Sequence, residues 1–317
     1  MRARAMTGTV LACLVAGLVV ASGGEGVAAT RTTHRVSVGT GGQADGGSKT
    51  ARRSVSSDGR FVVFQSDATN LVPNDTNAAT DIFVRDRSLH TTSRVSTGSS
   101  GQSDGDSDVP SISGNGRFVV FHSVATNLVP DDTNAVFDIF VRDRSRHTTS
   151  RVSTGSLGQS DGPSYDASIS FNGRYVAFES SATNLVAGDT NGFFDIFVRD
   201  RSLHTTSRVS NGSSGQSNGP SNAATVSGDG RLVTFQSDAT NLVAGDTNGE
   251  TDVFVRNRSQ HRTFMVSTGA LGESDGPSFL ATVSGDGRFV AFYSYGTNLV
   301  AGDTNGVPDV FVRGPYA

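Results

Sequence analysis

The chain has 317 residues, a formal net charge of −4, 35 % hydrophobic residues and no tryptophan. Mild acidity without a basic stripe argues against a nucleic-acid partner. The single cysteine, Cys13, rules out a disulfide framework.

At the N-terminus, Arg2 and Arg4 precede an apolar run from Val10 to Ala21, and Val27-Ala28-Ala29 forms a small-residue boundary. This is the pattern of a secretory signal over residues 1–29, so the mature chain is expected to start near Thr30 and to be extracellular. The run is short for a bilayer span, so no membrane span is expected once the signal is removed. Lipid attachment at Cys13 is the weaker reading, because little apolar sequence precedes it. Losing Arg2, Arg4 and Glu25 shifts the formal charge to −5.

From Val36 to Arg313 one unit is written five times. Arg60, Arg117, Arg174, Arg231 and Arg288 each follow a glycine, each open an apolar run, and are spaced by 57 residues. A strict period of this kind defines one supersecondary module that buries its faces against its neighbours, so residues 30–317 are read as one domain, expected to be monomeric.

In the second unit, Val109–Ser113 reads as a short strand and Asn115-Gly116 as a tight hairpin turn, repeated as Asp58-Gly59, Asn172-Gly173, Asp229-Gly230 and Asp286-Gly287. The second strand, Arg117–Ser123, is apolar at both parities and so is buried on both faces. The third, Asp138–Arg142, is less apolar, and the fourth, Thr149–Ser153, keeps only Val152. Burial that falls from the second strand outward fits a propeller blade better than a sandwich. The chain ends on a third strand, Asp309–Arg313, and opens with Thr33-His34-Arg35-Val36-Ser37, which reads as a fourth strand. The expected fold is therefore all-β, a five-bladed β-propeller of four-stranded blades in which the N-terminal strand completes the last blade and removes its free edge.

The segment Ser284-Gly285-Asp286-Gly287-Arg288-Phe289-Val290-Ala291-Phe292, followed by Asp309-Val310-Phe311-Val312, resembles the TolB-type, WD-like β-propeller repeat, whose pattern is Ser-x-Asp-Gly-x-x-Ile-Ala-Phe-x-Ser and then Asp-Ile-Tyr-Val. The match recurs in all five units. It implies a propeller that binds a partner. TolB itself has six blades after an α/β domain, which this sequence does not show, so its partners do not carry over.

Antiparallel strand order places two long connections per unit on one rim: the loop between strands two and three, and the Gly/Ser/Asp-rich link to the next unit. A binding site is expected there. Three constellations compete for chemistry. The loop motif Asp-Thr-Asn-x-x-x-Asp supplies Asp75, Asn77 and Asp81; Asp132, Asn134 and Asp138; Asp189, Asn191 and Asp195; Asp246, Asn248 and Asp252; Asp303, Asn305 and Asp309. Oxygens two residues apart with a later carboxylate suit calcium, though not in EF-hand spacing; the alternative is an Asx-turn with the last Asp binding backbone donors. Copies with Gly192, Gly249 and Gly306 after the Asn are expected to turn more sharply than those with Ala78 and Ala135. His90, His147, His204 and His261 fall one per unit on the opposite rim, as solvated turn residues. The position after the second-strand Phe varies as Gln65, His122, Glu179, Gln236 and Tyr293, and so is a candidate ligand ring at one channel mouth.

Catalysis needs a unique asymmetric cluster. The only non-repeated candidates, His122 and Glu179, come without a singled-out nucleophile, and no carboxylate pair suits a glycosidase. The reading is a non-catalytic binding scaffold for a protein or a cell-surface glycan, without a certain cofactor and with calcium as the candidate ion. The alternatives are a multivalent lectin-like propeller and, further off, a hydrolase.

Overall fold

Aromatic and β-branched side chains in the repeated apolar runs favour pleated backbone, and every regular element among the described residues is a strand. The computed structural model describes residues 32–213 and 215–316; the expected signal at 1–29, with Cys13, lies outside them. No helix among the described residues is long and apolar enough to cross a membrane.

Five antiparallel sheets follow one another. Sheet 1 is built from Ser48–Lys49, Phe61–Ser66, Asp81–Asp86 and Thr91–Arg94, and sheet 2 from Ser107–Ile112, Phe118–Ser123, Asp138–Asp143 and Thr148–Arg151. Sheet 3 contains Ser164–Ile169, Tyr175–Ser180, Asp195–Asp200 and Thr205–Arg208; sheet 4 contains Ser221–Val226, Leu232–Ser237, Asp252–Asn257 and Arg262–Met265. Sheet 5 has three strands, Ser278–Val283, Val290–Ser294 and Asp309–Arg313. Residues Arg35–Ala317 form one compact unit.

Each sheet carries a cross-strand phenylalanine pair, fully buried in sheets 1 to 4, such as Phe121 opposite Phe140 with ring centroids 6.0 Å apart and Phe178 opposite Phe197 at 6.0 Å. These rings and their branched neighbours fill the space between consecutive sheets; Ile82 and Val84 of sheet 1, for example, share a cluster with Ile112, Phe121 and Leu128 of sheet 2. The recurring arginines work at the short-turn rim. Arg60, Arg117 and Arg174 pair with Asp86, Asp143 and Asp200 at 2.7, 2.6 and 2.7 Å. The ring after each arginine is then held between two guanidinium groups: Arg117 lies 4.7 Å from the Phe118 centroid, and Arg201 of the next sheet lies 4.5 Å from it.

Three features add to or depart from the sequence expectation. The Gly/Ser/Asp-rich link folds into a two-stranded hairpin, as in Thr97–Gly98 with Gly101–Gln102. This hairpin is held by the outer strands of the next sheet, from which Thr149 Oγ1 and Arg142 Nη1 both donate to the Thr97 carbonyl. Unit 1 also carries two extra residues in its first strand: Ser48 to Ser56 spans what Ser107 to Ser113 spans in unit 2. The insertion places Arg52 and Arg53 across the axis, where Arg53 donates to the Ile169 and Val283 carbonyls and Arg52 to the Ala223 carbonyl. Finally, the strand Asp309–Arg313 pairs only with Val290–Ser294, and Arg35–Ser37 forms no strand, so the expected fourth strand of sheet 5 is not formed here. Val310 and Val312 are 81 % and 69 % exposed, while their counterparts Val253 and Val255 are fully buried.

Two glycine positions separate backbone strain from steric clash. Gly173 has φ +74°, and a Cβ there would run into the Phe118 ring of the preceding sheet; Gly192 has φ +71° and open space around it. We expect Gly192→Ala to cost about 1 kcal/mol and Gly173→Ala at least about twice that, since a ring must also move. Denaturant melts of the two variants check the order.

Candidate functional site

On the long-loop rim the Asp-Thr-Asn loops are tightly built. The last Asp of the motif is fully buried in sheets 1 to 4, and a buried carboxylate persists only where donors surround it. Asp81 receives Asn77 Nδ2 at 3.0 Å, Ser96 Oγ at 2.5 Å, Ser103 Oγ at 2.9 Å and Arg94 Nη1 at 2.9 Å. The same arginine nitrogen lies 2.9 Å from Asp75 Oδ1, so one guanidinium joins the first and last carboxylates of the motif. Arg151 joins Asp132 and Asp138 at 2.9 and 3.3 Å, and Arg208 joins Asp189 and Asp195 at 2.9 and 3.4 Å.

The Asn therefore turns its nitrogen, not its oxygen, toward the Asp in all five copies, with Asn134, Asn191, Asn248 and Asn305 repeating the contact to Asp138, Asp195, Asp252 and Asp309. In sheets 1 to 3 an arginine nitrogen lies between the first and last carboxylates of the motif. Among the described residues no group of three His, Cys, Asp or Glu side chains is arranged to hold a metal ion. The residue after the Asn has positive φ in every copy, Ala78 and Ala135 included, so the loops turn alike whether or not glycine is present. Leu71, Leu128, Leu185, Leu242 and Leu299, in the Thr-Asn-Leu-Val segment before each motif, are buried.

His90, His147, His204 and His261 all have φ between 52° and 54° and are exposed, one at each turn between strands three and four. Histidine tolerates this left-handed conformation better than most residues.

The variable position has a role that the sequence did not reveal. Gln65 Oε1 accepts the Val109 N–H at 3.0 Å, Glu179 Oε2 the Ala223 N–H at 2.9 Å and Gln236 Oε1 the Leu280 N–H at 2.9 Å. Each acceptor lies one sheet before its donor, and each donor has positive φ at an irregularity in the first strand. These side chains link consecutive sheets beside the axis. His122 instead packs edge-on against Phe137 and Tyr165 at 5.3 and 5.5 Å. Burial lowers its pKa, opposed by Asp166 and Asp108. Tyr293 joins Phe279 and Tyr295 in a separate aromatic group. The axis also carries what sequence reading missed: Phe171 fills the space left by Gly114, Gly228 and Gly285, and Arg53 lies 5.9 Å above its ring. The signal was available, because the other four units have Ser or Gly where Phe171 stands.

The chain superposes on TolB from Agrobacterium tumefaciens with a TM-score of 0.52 at 16 % identity, covering 86 % of this chain and 83 % of that one. It also superposes on an oligogalacturonate lyase solved in complex with manganese, with a TM-score of 0.52 at 12 % identity over 84 % of this chain and 63 % of that one. No protein-family model and no curated protein matches the sequence. Repeated antiparallel sheets, each buried against the next, define a β-propeller. Within that class its fold is similar to that of TolB, whose repeat motif the sequence resembles.

Burial pushes the Glu179 carboxyl up to about 7, with Asp166 adding to the effect and the Ala223 N–H and Arg52 opposing it. The folded state therefore holds this proton more tightly than the unfolded chain does. The associated stability is complete below the ordinary glutamate value and is lost as pH rises through about 7. Glutamine keeps the acceptor oxygen, as Gln65 and Gln236 do. We expect Glu179→Gln to match wild type near pH 4.5 and to exceed it at pH 8 by about 1 to 3 kcal/mol. Urea melts of both proteins at the two pH values check this.

Proposed function

We propose that the protein is a secreted, non-catalytic binding scaffold whose partner, a protein or a cell-surface glycan, docks on the long-loop rim. The observation that carries this reading is that the rigid hairpins and loops of that rim present exposed apolar side chains to solvent: Leu157 and Leu271 at hairpin tips, and Phe193 and Val307 beside the Asp-Thr-Asn turns. Rigid loops with apolar tips suit recognition of a partner surface. His122 and Glu179 are committed to packing and to sheet linkage, and neither bonds the other, which favours a scaffold over an enzyme. Photo-crosslinking residues placed at Leu157 and Leu271 are expected to trap a partner on cells, whereas the same residue at Leu89 and Leu203, exposed on the opposite rim, is not. Equal trapping from both rims would refute the assignment, and selective capture on a glycan array would identify the glycan alternative.

The same reading takes the five sheets as blades of a ring closed by the N-terminal strand. Arg35-Val36-Ser37 repeats Arg94-Val95-Ser96, and sheet 5 offers Asp303, Asp309 and the exposed Val310 and Val312 where those residues find partners in the other units. A chain starting at Val38 is expected to melt lower and to scatter light with rising concentration, because a sheet edge is left open. Melting and scattering identical to the longer chain would count against closure.

A further inference from the structure

Sheet 4 keeps the loop carboxylates but lacks the cation that joins them elsewhere. Met265 stands where Arg94, Arg151 and Arg208 stand, Phe264 replaces a serine beside it, and Glu273 replaces Gln102, Gln159 and Gln216. One positive charge is lost and two negative charges are gained: Glu273 and, within the loop itself, Glu250, where the siblings have Ala79, Val136 and Phe193. Asp246 is only 8 % exposed, and its Oδ1 is buried without a hydrogen-bond partner among the described residues. This is the oxygen whose counterparts on Asp75, Asp132 and Asp189 each meet an arginine nitrogen at 2.9 Å. Burial, with the Asp252 and Glu273 charges adding to it, pushes the Asp246 carboxyl up to about 6. Asp252 is also less satisfied than its counterparts: it keeps Ser267 Oγ at 2.5 Å and Asn248 Nδ2 at 3.0 Å, but Ser274 Oγ bonds the Gly276 carbonyl instead. A cavity of about 590 Å³ opens beside this loop, lined by Leu242, Gly245, Phe264, Met265 and Glu273 among others, with the buried Asp246 and Asp252 behind its wall rather than on it.

We propose that this loop binds, from outside the chain, the cation that sheets 1 to 3 supply from their own fourth strand: a single guanidinium or alkylammonium group seated between Asp246 and Asp252, with Glu273 beside it and its apolar stem along Met265 and Phe264. The three sibling loops show that the scaffold accepts a guanidinium nitrogen while Ser and Asn donors remain on the last Asp. The cavity is far larger than a bare ion needs, and no three acidic or histidine side chains among the described residues are arranged around one. Its outer wall selects for a single charge. Arg262 lies 4.9 Å from the Phe264 centroid and Arg256 is held by Asn211 O and Thr263 Oγ1, so a polycation would be repelled. A free amine or guanidine and a lysyl or arginyl side chain of a partner share this chemistry. The inference stands apart from the scaffold reading, since it rests on sheet 4 alone.

The test is thermal melting and calorimetric titration of the full chain at pH 7.5 with low-millimolar ethylguanidinium, N-acetylarginine amide or calcium chloride. Ligand that binds only the folded state raises the melting temperature. We expect both guanidinium compounds to give a saturable rise in wild type, with tighter binding of the arginine amide pointing to a partner side chain and equal binding to a free small molecule; either supports the site. Glu273→Gln should weaken binding about tenfold, the loss of one close charge contact. Met265→Arg should raise the melting temperature without ligand and remove the ligand response, because the guanidinium is then supplied within the chain. Should that variant fold poorly, Asp246→Asn with unchanged circular dichroism should lose the response instead. No response of wild type to either guanidinium compound, or a response to calcium alone, overturns the proposal.

Discussion

The buried aspartate at the start of each third strand is the constraint on which the other features of a unit depend. Asp81, Asp138 and Asp195 are fully buried charges, and leaving such a group short of partners costs several kcal/mol. The donors that satisfy Asp81 come from three segments: Asn77 in the loop before it, Arg94 and Ser96 at the end of the fourth strand, and Ser103 just after the hairpin leading to the next unit. One carboxylate thus fixes the whole long-loop rim. This gives the uniform Asp-Thr-Asn motif a structural role in every unit.

Contacts between sheets follow a second set of rules. Near the axis a side-chain oxygen of one sheet accepts an N–H from an irregular first strand of the next, and at the short-turn rim arginines of neighbouring sheets stack on either face of one ring. The first device tolerates Gln or Glu, since either offers an oxygen, and His122 and Tyr293 depart from it with aromatic packing instead. What looks in the sequence like chemical diversity at a channel mouth is therefore, at three of five positions, one hydrogen bond made by different residues.

Repetition also makes divergence informative. Sheet 4 has Met265 where three siblings have arginine, and Asn257 where they have aspartate, so both rims lose one half of an ion pair there. On the short-turn rim Arg231 keeps Asp229 at 3.8 Å, but its Nε is buried without a hydrogen-bond partner among the described residues. On the long-loop rim a carboxylate oxygen is left buried and unpaired beside a cavity.

The sequence by itself determined whatever is local. The period of 57 residues, the Asx-Gly hairpins, strands apolar on both faces and the separation of long loops from short turns all follow from backbone preferences and alternation within a few residues. The tertiary structure decided whatever depends on atoms brought together from far along the chain. Spacing alone could not tell that Asn77 offers its nitrogen to Asp81, because the choice depends on Arg94 and Ser103 arriving from the fourth strand and the next hairpin. Nor could it place Arg53 against carbonyls of sheets 3 and 5, since a two-residue insertion has no direction until the distant sheets are packed beside it. An orphaned oxygen on Asp246 becomes visible only once its three siblings can be superposed with their guanidinium partners in place.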